Sequence, residues 1–198
     1  MSHRLSKEFF TKESWDEVQT FACGTEIYET EVSDWLKRPL GEDGALSAIQ
    51  NAEKPTKVWL YRLEDETLVG FGALAKSSWR WKGKNDPYIP IMMIIWCGVG
   101  KEFQGRPEGP REGRYAFQIL DDLLGEASVD QNAYPVLGLC VHRDNKKAIK
   151  LYKNFGFDVD LEPFKDKENG REYRKMAHIL DGEALLRLKE ESRARKST

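Results

Sequence analysis

The chain is short of cysteine, of histidine and of long apolar runs, and each shortage removes a class of protein. It has three cysteines in 198 residues, Cys23, Cys97 and Cys140. An odd number without close spacing makes neither a disulfide framework nor a cysteine zinc site, so reduced thiols used for packing are expected. Three scattered histidines form no metal cluster, and no metal is expected. The longest apolar run, Ile89 to Cys97, is far shorter than a bilayer-spanning helix, and the polar start Met1-Ser2-His3-Arg4 lacks the apolar stretch of a signal peptide. A cytoplasmic protein with no membrane association is expected. Charge of one sign is lacking too: 31 basic against 33 acidic residues leave a net charge of -2. That balance lacks the basic excess of a protein living on nucleic acid, although it leaves room for a local basic patch.

What the chain does have is enough apolar residues, 40% of its length, to build one compact α/β domain across residues 1–198. Thr25 to Lys37 has helical periodicity, with Ile27, Val32, Trp35 and Leu36 apolar among Glu26, Glu29, Glu31 and Asp34. A second short helix is expected from Gly44 to Ala52. The period then changes to two, and Val58–Leu63 and Leu68–Leu74 read as a hairpin around Glu64-Asp65-Glu66-Thr67. A strand over residues 90–99 is continuously apolar from Ile91 to Cys97, which predicts a central strand of a mixed sheet covered by helices on both faces. Ala116, Ile119, Leu120 and Leu123 mark one helix, and Ala148, Leu151, Tyr152 and Phe155 another. Between them lies a strand, Pro135 to Val141, so a right-handed crossover should place the two strands in parallel. Arg171 to Ile179 reads as a closing strand, with a helix to about residue 195 that ends in a charged stretch from Lys189.

The central strand leads through Lys101-Glu102-Phe103-Gln104-Gly105-Arg106-Pro107-Glu108-Gly109-Pro110-Arg111-Glu112-Gly113 into a helix. Glycines let backbone N–H groups converge on an anion, and a helix N-terminus carries roughly half a positive charge. Lys101, Arg106, Arg111 and Arg114 would add to that field. By itself such a loop is as often an ordinary turn as a phosphate site. It lacks the Gly-Lys-Ser/Thr of a nucleotide-hydrolysing loop and the Gly-x-Gly-x-x-Gly of a dinucleotide fold.

A second cluster follows: Asn145, Ala148, Tyr152, Gly156 and Phe157, in the spacing Asn-x-x-Ala-x-x-x-Tyr with Gly-Phe shortly after. Together with Cys97-Gly98-Val99 and Gln104-Gly105-Arg106, this order over residues 56–160 resembles the GNAT superfamily of N-acetyltransferases. The resemblance implies acetyl-CoA as cofactor and transfer of its acyl group to a primary amine by direct attack in a ternary complex. It implies that the backbone from Cys97 to Val99 holds the pantetheine arm. The loop carrying Gln104, Gly105, Arg106, Gly109, Arg111, Gly113 and Arg114 would hold the pyrophosphate, with Asn145 a further cofactor contact and residues 25–52 on the substrate side. The loop departs from the family by several extra residues and by Pro107 and Pro110, which donate no N–H. Gly98 and Gly100 independently suit a strand end that a ligand approaches closely.

Acyl transfer from a thioester needs a neutral amine, a donor for the acyl oxygen and a proton for the departing thiolate. Tyr152 is the candidate acid. Its helix spacing also suits a core tyrosine, and the company of Asn145 and the phosphate loop tips the reading towards catalysis. Met93, Ile94, Ile95 and Trp96 offer no carboxylate base on the central strand, and His142 just after a strand reads as a structural loop residue. Cys97 and Cys140 have no Cys-His-carboxylate order behind them and read as packing. The acidic face of Glu26, Glu29, Glu31 and Asp34 reads as solvated.

Trp79-Arg80-Trp81-Lys82-Gly83-Lys84 mixes aromatic and basic residues as a nucleic-acid surface does. Phe21-Ala22-Cys23-Gly24, the helix ending Trp35-Leu36-Lys37, and Ile89-Pro90-Ile91-Met92 partly resemble GNAT toxins that acetylate aminoacyl-tRNA. Three readings therefore stay open: an acetyltransferase on a small molecule or protein amine, a toxin-like enzyme on tRNA, and a CoA-binding regulatory module without catalysis. The acceptor, the base and the oligomeric state, including a homodimer, are left open as well.

Overall fold

The computed structural model describes residues 4–81, 86–105, 115–167 and 169–194. Seven strands form one mixed sheet in the order β1-β2-β3-β4-β5-β7-β6. The strands are β1 Ser6–Phe9, β2 Lys57–Arg62, β3 Leu68–Arg80, β4 Tyr88–Val99, β5 Val136–His142, β6 Val159–Lys165 and β7 Glu172–Ile179. The helices are α1 Ile27–Lys37, α2 Ala45–Gln50, α3 Tyr115–Ser128, α4 Lys146–Asn154 and α5 Gly182–Ala194. No helix among the described residues is long and apolar enough to cross a membrane.

The apolar strand β4 is the fourth of the seven, as its composition predicts, and its ladder with β5 is parallel through Met92↔Leu137, Met93↔Gly138 and Ile94↔Leu139. The strand ending at Ile179 does not close the sheet. It is inserted antiparallel between β5 and β6, and β6 is the edge. Sequence patterning misses β6 because Pro163 and a register shift between Leu161 and Phe164 break its alternation. It misses β1 because all four of its residues are exposed; that strand is specified by its backbone ladder to β2, Ser6↔Arg62 to Phe9↔Trp59.

The chain forms two compact units, one of residues 1–75 and 95–123, the other of 76–94 and 124–198. In the first, α1 buries Trp35 and Leu36, and Trp35 stacks on Phe71 at 6.1 Å while Phe21 meets the same ring edge-on at 5.8 Å. The helix starts where the Glu26 N–H donates to Glu29 Oε2 at 3.0 Å, and it stops before Arg38-Pro39 because a residue preceding proline leaves the helical region. Arg62 is buried at 6% exposure. Its guanidinium is satisfied by Glu8 Oε1 at 2.8 Å, Glu17 Oε2 at 2.7 Å and the Glu66 carbonyl at 2.9 Å, which ties β1 and the short 3-10 turn Glu17–Thr20 to the sheet.

The second unit has its own core of Trp79, Trp81, Ile89, Ile91, Val136 and Ala177. A Cβ at Gly138 would lie 2.7 Å from Trp79 Cζ3, so β5 carries glycine where the indole packs against it.

Candidate active site

In the first unit the candidate residues gather at the end of β4. The continuous apolar run predicts cover on both faces. Ile89, Ile91, Met92 and Ile94 are indeed buried, but every residue from Ile95 to Val99 is only half-buried. Ile95 and Trp96 rest against the core of the first unit, and the strand end keeps part of its surface open.

Gly98 sits within that stretch, and its reason is packing. A Cβ there would meet Cys23 Sγ at 2.5 Å, Val32 Cγ1 at 2.8 Å and Phe71 Cε1 at 3.1 Å. The close approach that the glycine allows is thus filled by the segment before α1 and by α1 itself, whereas the sequence reading reserved it for a ligand.

The strand passes through Gly100, whose N–H donates to the Val69 carbonyl at 2.8 Å, into the 3-10 turn Lys101–Phe103. Gln104 follows. Its Nε2 donates to the Val99 carbonyl at 2.9 Å and to the Cys23 carbonyl, and its backbone N–H points at Lys101 O, 3.3 Å away. These donors are engaged with the chain rather than aimed outward at an anion. Gly105 adopts φ +65°, a conformation that favours glycine. Arg106, Gly109, Arg111, Gly113 and Arg114 lie outside the described residues. On either side of them Phe103 and Tyr115 meet edge-on at 5.8 Å, which brings the turn after β4 beside the first residue of α3.

In the second unit the candidates lie on α4. Asn145 is its N-cap, with Oδ1 accepting from the Ala148 N–H at 3.0 Å. Tyr152, half-buried, packs edge-on against Phe157 at 5.9 Å. The helix ends at Asn154 with Phe155 as its C-cap, and Gly156 just beyond takes φ +91°. The Gly156 carbonyl lies 2.9 Å from His178 Nδ1 and, as a carbonyl can only accept, fixes that nitrogen as the protonated one. Phe157 is fully buried beside the same imidazole, with ring centroids 5.8 Å apart. The Gly-Phe pair therefore sets the end of the helix that carries Tyr152.

The acetyltransferase (GNAT) family profile matches residues 24–157, two-thirds of the chain and the stretch that holds both clusters. The chain belongs to the GNAT acetyltransferase family. No curated protein matches it. Solved structures match along almost their whole length. A tyrosine-to-phenylalanine mutant of the toxin AtaT, bound to the C-terminus of the antitoxin AtaR and acetyl-CoA, is 14% identical, with 93% of this chain and 98% of that chain covered at a TM-score of 0.59. AtaT complexed with acetyl-methionyl-tRNAfMet is 16% identical, with 92% and 98% covered at a TM-score of 0.58. The spermidine/spermine N-acetyltransferase SpeG from Vibrio cholerae is 14% identical, with 89% and 93% covered at a TM-score of 0.50. At these identities the likeness is one of fold.

Within this GNAT chain the remaining candidates resolve into structure. Burial pushes the Cys23 thiol up to about 12 and the Cys140 thiol up to about 11, the opposite of what a nucleophile needs. His142 is mostly buried, and its Nδ1 accepts from the Asp144 N–H at 3.2 Å, a loop-fixing bond. Glu29 is occupied at the start of α1, while Glu26 and Asp34 are exposed. Trp79 and Trp81 are buried in the core of their unit, with Lys175 Nζ 5.7 Å from the first ring and Lys189 Nζ 4.5 Å from the second, so neither offers a stacking face to a base. Lys82, Gly83 and Lys84 lie outside the described residues.

Proposed function

We propose that this GNAT protein is an N-acetyltransferase that moves the acetyl group of acetyl-CoA to a primary amine by direct attack in a ternary complex. The observation that carries the reading is the half-buried apolar end of β4, Ile95–Val99, in the segment that family resemblance assigns to the pantetheine arm. Acetyl-CoA, when bound, supplies a thioester-activated acyl group. The backbone of Cys97, Gly98 and Val99 would hydrogen-bond the amides of the arm. Gly105 and the loop amides up to Gly113, with Arg106, Arg111 and Arg114, would neutralise the pyrophosphate at the start of α3. Asn145 has its oxygen committed to the helix cap, which leaves its amide nitrogen as the donor to cofactor. Tyr152 would give its phenolic proton to the departing sulfur, held in place by Phe157. The amine must reach the site neutral, and with no carboxylate on β4 a water chain or an acidic residue of residues 25–52 would take its proton.

The test is calorimetry and mass spectrometry of the protein with acetyl-CoA, followed by an amine panel. Asn145→Ala should weaken acetyl-CoA binding about tenfold, as loss of one buried polar contact does. Acyl loss to any amine supports catalysis; tight binding with no acyl loss to the whole panel would make the chain a CoA-binding regulatory module instead.

One observation favours a particular acceptor. Lys146, Lys147, Lys150 and Lys153 are all exposed along one face of α4, a basic strip in a chain of net charge -2. Such a face suits a polyanionic acceptor such as aminoacyl-tRNA, in keeping with the likeness to AtaT. Acetylation of charged tRNA that does not weaken as salt is raised would count against it.

A further inference from the structure

The end of β4 and the start of α1 are joined by a compact set of bonds. The Lys101 N–H donates to the Ala22 carbonyl at 2.8 Å. The Cys23 N–H donates to Ser33 Oγ at 2.8 Å, and Ser33 Oγ donates in turn to the Glu29 carbonyl at 3.1 Å, so Cys23 is fixed to α1. Cys23 Sγ and Val32 lie in the notch that Gly98 leaves. Across these contacts one exposed side chain spans both partners: Gln104 Nε2 donates to Val99 O on the strand and to Cys23 O on the segment. Because both acceptors are carbonyls, the nitrogen must be the inward atom, which settles the orientation of the amide.

We infer that Gln104 is a positioning residue, a clamp that couples the cofactor strand to the substrate-side helix α1. The inference rests on the proposed acetyl-CoA reading for what lies along Cys97–Val99. The clamp leaves that backbone and the segment before α1 no independent freedom, so ordering one orders the other. Gln104 acts here through the main chain, without touching a phosphate.

The test is amide hydrogen exchange with and without acetyl-CoA, on the full chain and three variants. Wild type should show slower exchange across α1 when acetyl-CoA is added. In unligated Gln104→Ala, exchange at the Cys23 and Lys101 amides should rise about tenfold, the scale of losing two partly exposed hydrogen bonds. In that variant acetyl-CoA should still bind, within about threefold of wild type, but the slowing across α1 should vanish. Gln104→Glu, which sets a carboxylate against two carbonyls, should behave at least as badly. Gln104→Arg, which restores donors at an exposed position, should recover the coupling, a rescue that a space-filling role would not give. Acetyl-CoA binding lost in Gln104→Ala with unchanged exchange in the unligated protein would make Gln104 a cofactor contact and overturn the clamp. Slowing across α1 that persists in Gln104→Ala would overturn it too. A wild type that binds no acetyl-CoA removes the proposed function itself, and the coupling with it, an outcome distinct from failure of the clamp alone.

Discussion

Replacing Gly98 with alanine tests the packing at the end of β4 most directly. The new Cβ would sit 2.5 Å from Cys23 Sγ, 2.8 Å from Val32 Cγ1 and 3.1 Å from Phe71 Cε1. Comfortable contacts of this kind need about 3.5–4 Å, so three neighbours must yield at once. The sulfur cannot retreat freely, because Cys23 is buried and its N–H is held by Ser33. Overpacking of a tight core costs about 1–3 kcal/mol, and with three contacts the upper end applies. Alanine recovers up to about 1 kcal/mol by restricting the unfolded chain, which leaves a net loss of about 2 kcal/mol. In a chain of this length that lowers the melting temperature by about 4–8 °C. Urea unfolding followed by tryptophan fluorescence gives the difference. Cys23→Ala supplies the control, costing about 1 kcal/mol alone by leaving a small void. In the double variant the worst clash is gone, so the combined loss should be no greater than that of Gly98→Ala alone. A Gly98→Ala protein within about 0.5 kcal/mol of wild type, or two losses that simply add, would refute the packing account.

Tyr152→Phe keeps the ring against Phe157 but removes the phenolic proton, and kcat on an accepted amine should fall at least about 100-fold; an unchanged rate removes Tyr152 from the chemistry. Gly156→Ala forces an L side chain to φ +91° with its Cβ 2.8 Å from His178 Nδ1, and thermal melts should show a loss of about 2–3 kcal/mol. Native alkylation with iodoacetamide at pH 8, read by peptide mass spectrometry, should spare Cys23 and Cys140, whose thiols burial pushes up to about 12 and about 11, whereas urea-unfolded chain should react at both. The Arg62 guanidinium holds the Glu17 carboxyl below its ordinary 4.5, so the unfolded chain takes up that proton first. The pair's contribution is whole above about pH 4.5 and drains away as pH falls through the lower folded value. Urea midpoints between pH 6 and 3 should therefore drop less steeply in Arg62→Met than in wild type, by a modest amount because Glu17 is half exposed.

Much of the fold was readable from local pattern. Helices α1 and α3 bury apolar residues at helical spacing, α4 buries Ile149 and half-buries the stripe Ala148, Leu151, Tyr152 and Phe155, and β4 is apolar along most of its length, so period and composition locate them within a few residues. Family resemblance makes Asn145 a cofactor contact, and its place as the cap of α4 emerges from Oδ1 accepting from the Ala148 N–H. The edges of the sheet were not readable. β1 has no buried face, and β6 is interrupted by Pro163, so neither shows a strand's alternation and each depends on the partners that distant segments present, which for β1 include Arg62 and Asp122 as well as the backbone of β2.

By itself, then, the sequence determined that this is an α/β chain with a central parallel strand pair and the ordered family motifs on either side of α3, because those features follow from hydrophobic period and fixed short-range spacing. Only the tertiary structure decided what Gly98, Gln104, Trp79 and Gly138 touch. Gln104 meets a carbonyl 81 residues away, and Gly98 makes room for a sulfur from that same distant segment. Trp79 lies over Gly138 inside a core instead of on a surface. Contacts of that range leave no periodic trace along the chain, because each is set by which backbones the sheet brings together and not by the residues beside it.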